Sequence, residues 1–132
     1  EGLATLLTTL PGAAPGAAAS ARRHALVEIT QTLAIAAQSD PELPYWVADD
    51  YLRAVALVLL EWAWGRISAA GTDSAAANTP TTTTTTADAP RWSAPAQALR
   101  QWVLPEFDMR CSMLRQRIAQ AFEFKAILAS SA

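Results

Sequence analysis

Asp50 to Ile67 reads DYLRAVALVLLEWAWGRI. Every residue from Ala54 to Leu60 is apolar, and Trp62 and Trp64 follow directly after Glu61. A helix that is apolar on nearly every side must be surrounded by partners or lie in a membrane. Crossing a bilayer takes about 20 apolar residues. Here Arg53, Glu61 and Arg66 bracket or interrupt the apolar block, which leaves roughly half the length a span requires. The stretch predicts a buried bundle helix and no membrane span. Its start is expected between Pro44 and Asp49, because proline suits a first helical turn and Asp49 and Asp50 suit the positive end of the helix dipole. Its end is expected near Ala70, with Gly71 as a left-handed C′ residue.

Helical patterns flank this stretch on both sides. Leu3, Leu6, Leu7 and Leu10 recur at helical spacing and are closed by Pro11-Gly12. A second segment, from about Ala17 to Gln38, places Ala25 or Leu26, Ile29, Leu33 and Ala36 or Ala37 in one stripe, with Arg22, Arg23, Glu28 and Gln31 away from it. Asp40-Pro41 ends it, since proline disfavours helix for the residue before it. Beyond the central stretch, residues 72–91 (TDSAAANTPTTTTTTADAPR) form a low-complexity loop with no apolar face, for which disorder is expected. A last segment opens with Ser93 as N-cap and Pro95 in its first turn. It carries Leu99, Trp102, Val103, Phe107, Cys111, Leu114, Ile118, Ala121 and Phe122 at a spacing of three to four. Pro105 lies inside that pattern, so a kink is expected near Gln101 to Leu104 rather than two separate helices. No strand-like alternation occurs. The reading is one all-α domain over residues 1–132, an antiparallel up-and-down bundle of about four helices with a long disordered loop before the last.

Composition narrows the function classes. Hydrophobic residues make up 52% of the 132 and charged residues only 17%, an apolar surplus that asks for burial outside the chain. Net charge is −2 with no basic run, which argues against nucleic acid as a partner. The single cysteine, Cys111, cannot form an internal disulfide, which suits a reducing, cytoplasmic compartment. The chain opens without methionine and inside a helical pattern, and is read as a piece of a longer polypeptide. Nine of its ten basic residues are arginine, which with the abundant alanine points to a GC-rich bacterial gene.

Catalytic and metal-binding constellations are hard to assemble from these residues. His24 is the only histidine and is expected to be solvated; one histidine and one cysteine make no zinc site. The Glu-x-x-His pairs of di-iron bundles are missing, and no glycine-rich phosphate loop occurs. Cys111 has apolar neighbours at helical spacing and reads as core. Glu61 could serve as a base if burial raised its pKa, but the simpler reading puts it on a polar edge near Arg66 or Arg53. No catalytic, cofactor-binding or metal-binding residue is therefore assigned. The five tryptophans remain. Trp62 and Trp64 lie about 200° apart around a helix, so one is expected to face another helix and one a partner surface. Trp62, Trp64 and Trp102 are the candidate interface residues.

Taken together, the Tyr-Leu-led apolar helix ending in Trp62-Ala63-Trp64, the uneven loop, and the last helix with Trp92 near its start and Leu104-Pro105 inside it resemble a known module. It is the C-terminal extension of large bacterial acyl-CoA dehydrogenases, the acetyl-CoA dehydrogenase C-terminal-like domain. Asp40-Pro41 ahead of the apolar helix also fits, and the likeness is firmest from about Asp40 to Leu114. Arg91-Trp92 departs from the family, which commonly has Phe-Tyr and a lysine there. The resemblance implies an accessory domain of an FAD-dependent enzyme that oxidises acyl-CoA thioesters at Cα–Cβ in fatty-acid metabolism. The glutamate base and the FAD contacts lie in upstream domains, so no catalytic residue carries over and this chain alone binds no cofactor. The implied partners are those upstream domains, a second subunit of a homo-oligomer, and acyl-CoA in the parent enzyme. The alternative is the ligand-binding helical domain of a TetR-type transcriptional regulator, which is also all-α and pockets apolar ligands between helices.

Overall fold

The computed structural model describes residues 2, 5, 9, 16–77 and 92–130. All the regular structure in them is helical. The elements are α1 (Ala17–Ala36), the short α2 (Leu43–Trp46), α3 (Ala48–Ala77), α4 (Ser93–Ala98), a single wide π-type turn (Leu99–Val103), and α5 (Pro105–Ser130). Gly2, Thr5 and Thr9 are each helical, with the Thr9 hydroxyl donating to the Thr5 carbonyl at 2.7 Å. The all-α expectation holds. The threonine run and the rest of residues 78–91 lie outside the described residues, as does the expectation of disorder there, and so do Leu3, Leu6, Leu7 and Leu10.

The directions of the long helices follow from their cross-links. Arg22 of α1 meets Glu61 of α3 while Thr30 meets Tyr51, so these two helices run antiparallel. Trp64 meets Trp92, Arg53 meets Glu106 and Asp50 meets Arg110, so α3 also runs antiparallel to the α4–α5 arm. Each helix supplies one apolar stripe to a shared core. Leu26, Ile29 and Ala36 come from α1, Ala54, Leu57 and Val58 from α3, and Phe107, Cys111, Leu114 and Ile118 from α5. Leu43 and Val47 close one end. Fully burying a leucine, isoleucine or phenylalanine contributes about 1.5–3 kcal/mol, so these stripes dominate the cohesion of the bundle.

Three local expectations are corrected. Helix α3 does not stop at Gly71 but continues to Ala77. Glycine permits the left-handed turn without requiring it, and its helix cost of about 1 kcal/mol is set against the alanines at 75–77. Ser93 is the first residue of α4 rather than its cap; Trp92 occupies that position, and no side chain caps the helix. Pro105 does more than bend a helix: it begins a new one, α5. A proline at position 105 has no N–H to give the Gln101 carbonyl, and its ring crowds that oxygen. The backbone widens instead, with the Leu104 N–H donating to the Leu99 carbonyl five residues back at 3.0 Å.

Candidate docking surface

Ion pairs use up much of the polar chemistry in the bundle. Glu61 is not held by Arg66 or Arg53, as its neighbours in sequence suggest, but by Arg22 on α1. The Arg22 Nε donates to Glu61 Oε2 at 2.8 Å, and its Nη2 bonds Oε1. This bond is the leading cause that holds the Arg22 guanidinium above its ordinary pKa, against a smaller opposing effect of burial. Arg22 is thus drawn into the α1–α3 interface, not turned away from it. Glu61 is engaged in a bidentate pair and is not poised as a base.

A second ionic group ties the start of α3 to the start of α5. Arg53 donates from Nε and Nη2 to the two Glu106 oxygens, each at 3.0 Å. Arg110 bonds Glu106 from Nε at 3.1 Å and from Nη2 at 3.0 Å, and reaches Asp50 from Nη1 at 2.6 Å. The Glu106 carboxyl is held below the usual range, first by the Arg53 bond, with burial opposing and Arg110 assisting. Asp50, read from sequence as a helix-start residue, also anchors α5.

Among the described residues no group of three histidine, cysteine or carboxylate side chains comes together that could hold a metal ion. His24 is exposed. Cys111 is buried in the core, and desolvation pushes its thiol up to about 11. No described helix is long and apolar enough to cross a membrane.

The candidate interface tryptophans occupy three different settings. Trp64 is half-buried and meets Trp92 edge to face, with ring centroids 6.1 Å apart at 68°. Trp62 is also half-buried, with the Arg66 guanidinium 5.6 Å above its ring, a cation–π geometry. Trp102, on the wide turn, is 76% exposed. Trp64 thus finds a partner within the chain, and Trp102 carries the largest exposed area of the three.

Sequence reasoning took α3 as enclosed on all sides. The helix buries one stripe, and its opposite side carries Leu52, Leu60 and Ile67 at 65%, 39% and 41% exposure. Ala56 is exposed between them. At about 100° per residue these positions fall within one sector, roughly opposite Ala54, Leu57 and Val58. This outer row was legible only as general apolarity, because nothing in DYLRAVALVLLEWAWGRI says which side the bundle takes. Family models, curated proteins and solved structures provide no match to this chain.

Proposed function

We propose that this chain is a non-catalytic accessory domain that docks on another protein surface through the outer row of α3. The observation that carries the reading is the placement of Leu52, Leu60 and Ile67, exposed on the side of α3 away from the core. A contiguous apolar row on a helix whose other face is satisfied is the usual mark of a protein–protein contact. The ion pairs support the same conclusion, since Glu61 and Glu106 are engaged in holding helices together.

The partner is the body of an FAD-dependent acyl-CoA dehydrogenase in the same polypeptide, where the domain contributes packing and dimerisation while upstream residues perform the flavin chemistry. This part rests on the resemblance of Tyr51-Leu52 through Trp64, and of Trp92 through Leu104-Pro105, to the C-terminal extension of those enzymes. Among the described residues the grooves between helices are open, which favours docking over the enclosed ligand pocket that a TetR-type regulator requires. The test is to prepare the chain alone and joined to the residues encoded upstream of Glu1. A yellow, FAD-containing protein with acyl-CoA-dependent reduction of the flavin is the expected result for the joined form. An upstream helix-turn-helix that binds DNA would replace this reading with the regulator.

A further inference from the structure

A second surface, on the opposite end of the core from the Trp64–Trp92 contact, is built around the corner between α1 and α3. The corner is tied by its own hydrogen bonds and by two buried anchors. The Asp40 carboxylate accepts the Glu42 N–H at 3.1 Å, and the Leu43 N–H donates to the Asp40 carbonyl at 3.2 Å. Leu43 and Val47 are then sunk into the core at 5% and 1% exposure, and Pro44 fixes the backbone between them. With both anchors buried, the two residues in the middle are turned outward: Tyr45 is 83% exposed and Trp46 72%.

Trp46 faces the C-terminal half of α5 across an open groove of about 640 Å³, whose far wall includes Arg117, Gln120 and Phe124. Phe124 is 65% exposed. Tryptophan, tyrosine and arginine are the residues that dominate binding energy at protein interfaces. Here Tyr45 and Trp46 stand on the hydrogen-bonded corner, so ordering them on binding costs little, and Arg117 stands across the groove on α5. The arginines of the bundle interior are neutralised, Arg22 by Glu61, Arg53 by Glu106, and Arg110 by Asp50 and Glu106. Arg117 is exposed and pairs with no carboxylate among the described residues. Asp40, the one acid in the groove wall, gives one oxygen to its own turn.

We propose that this groove binds an acidic peptide segment of a partner protein, placing one carboxylate on Arg117 and apolar side chains against Trp46 and Phe124. The charge left uncompensated in an aromatic groove selects the occupant: an apolar segment alone leaves Arg117 unpaired, and a basic one is repelled. The surface is separate from the outer row of α3, so the inference does not depend on the dehydrogenase reading.

The probe is a library of random 12-residue peptides displayed on phage and selected against the whole chain. Recovered peptides should be enriched in Asp or Glu flanked by aromatic or aliphatic residues. Arg117→Glu should weaken their binding at least tenfold, and changing the peptide carboxylate to lysine should restore part of that loss. Trp46→Ala should weaken binding comparably, with helical circular dichroism unchanged in both variants. Selection of peptides without acidic enrichment overturns the proposal, as does recovery of none. Binding indifferent to Arg117→Glu and Trp46→Ala, or uptake by phosphatidylserine vesicles in place of peptides, overturns it equally.

Discussion

Arg22 and Glu61, 39 residues apart in sequence, form a two-pronged ion pair across the α1–α3 interface, with 19% and 15% of their side chains exposed. Such a pair is costly to break from one side, because the surviving charge stays in a partly desolvated place without its partner. Glu61→Ala should therefore lower stability by about 1–3 kcal/mol in urea unfolding. The double variant Arg22→Met, Glu61→Leu should lose clearly less than the two single losses added together. A single-variant loss below about 0.5 kcal/mol, the range of an exposed surface pair, would show that the fork does not hold the two helices.

The Arg53–Glu106–Arg110 group sets the acid response. The folded pKa of Glu106 lies below its ordinary value, chiefly through the Arg53 bond. Its contribution to stability is then present above the unfolded carboxylate pKa of about 4.3. It is lost as pH falls through the lower folded value. Thermal melts between pH 7 and pH 3 should show an acid limb that Glu106→Gln makes shallower. Added salt should weaken the same effect, since these side chains are partly exposed. An identical acid limb in Glu106→Gln would assign the response to other carboxylates.

Leu114 and Gly65 make opposite predictions. Leu114 is fully buried between the helices, so Leu114→Ala should cost about 2–5 kcal/mol. Gly65 lies inside α3, and a Cβ built on it meets nothing within 4 Å. Gly65→Ala should raise stability by roughly 0.5–1 kcal/mol through helix propensity alone. Calorimetry of the two variants reads both signs, and a destabilising Gly65→Ala would mean that α3 is closely packed at that level.

Cys111 tests whether the core is closed. Cys111 is 2% exposed, and desolvation raises its thiol to about 11. Only the thiolate reacts with disulfide reagents, so labelling at pH 8 should be negligible in the native chain and complete in denaturant. Rapid native labelling would show that the core around α5 opens readily.

The parts of this fold that sequence revealed are those written in local periodicity. Leu26, Ile29, Phe107, Cys111, Leu114 and Ile118 were all readable as stripes because burial on a helix repeats every three to four residues. A disturbance ahead of Pro105 was readable from the missing N–H, but as a kink and not as the start of a separate helix. The end of α3 was not, because Gly71 allows a stop without imposing one. The Arg22–Glu61 pair was invisible for a different reason: side chains 39 positions apart meet only once the helix directions are set. The same limit hid the two surfaces proposed for docking. Which side of α3 faces out, and that Trp46 turns away from a core its neighbours Leu43 and Val47 enter, are consequences of packing and not of any local pattern.

The central claim is that the outer row of α3 is a docking surface. Sedimentation velocity of the chain alone, with hydrophobic-dye fluorescence on the same sample, tests it against the triple variant Leu52→Ser, Leu60→Gln, Ile67→Gln. The account predicts self-association and strong dye binding for the unaltered chain. It predicts a marked fall in both for the variant at unchanged helical content, because exposed residues are replaced. A monodisperse monomer that binds no dye, or a variant indistinguishable from the parent, would contradict it.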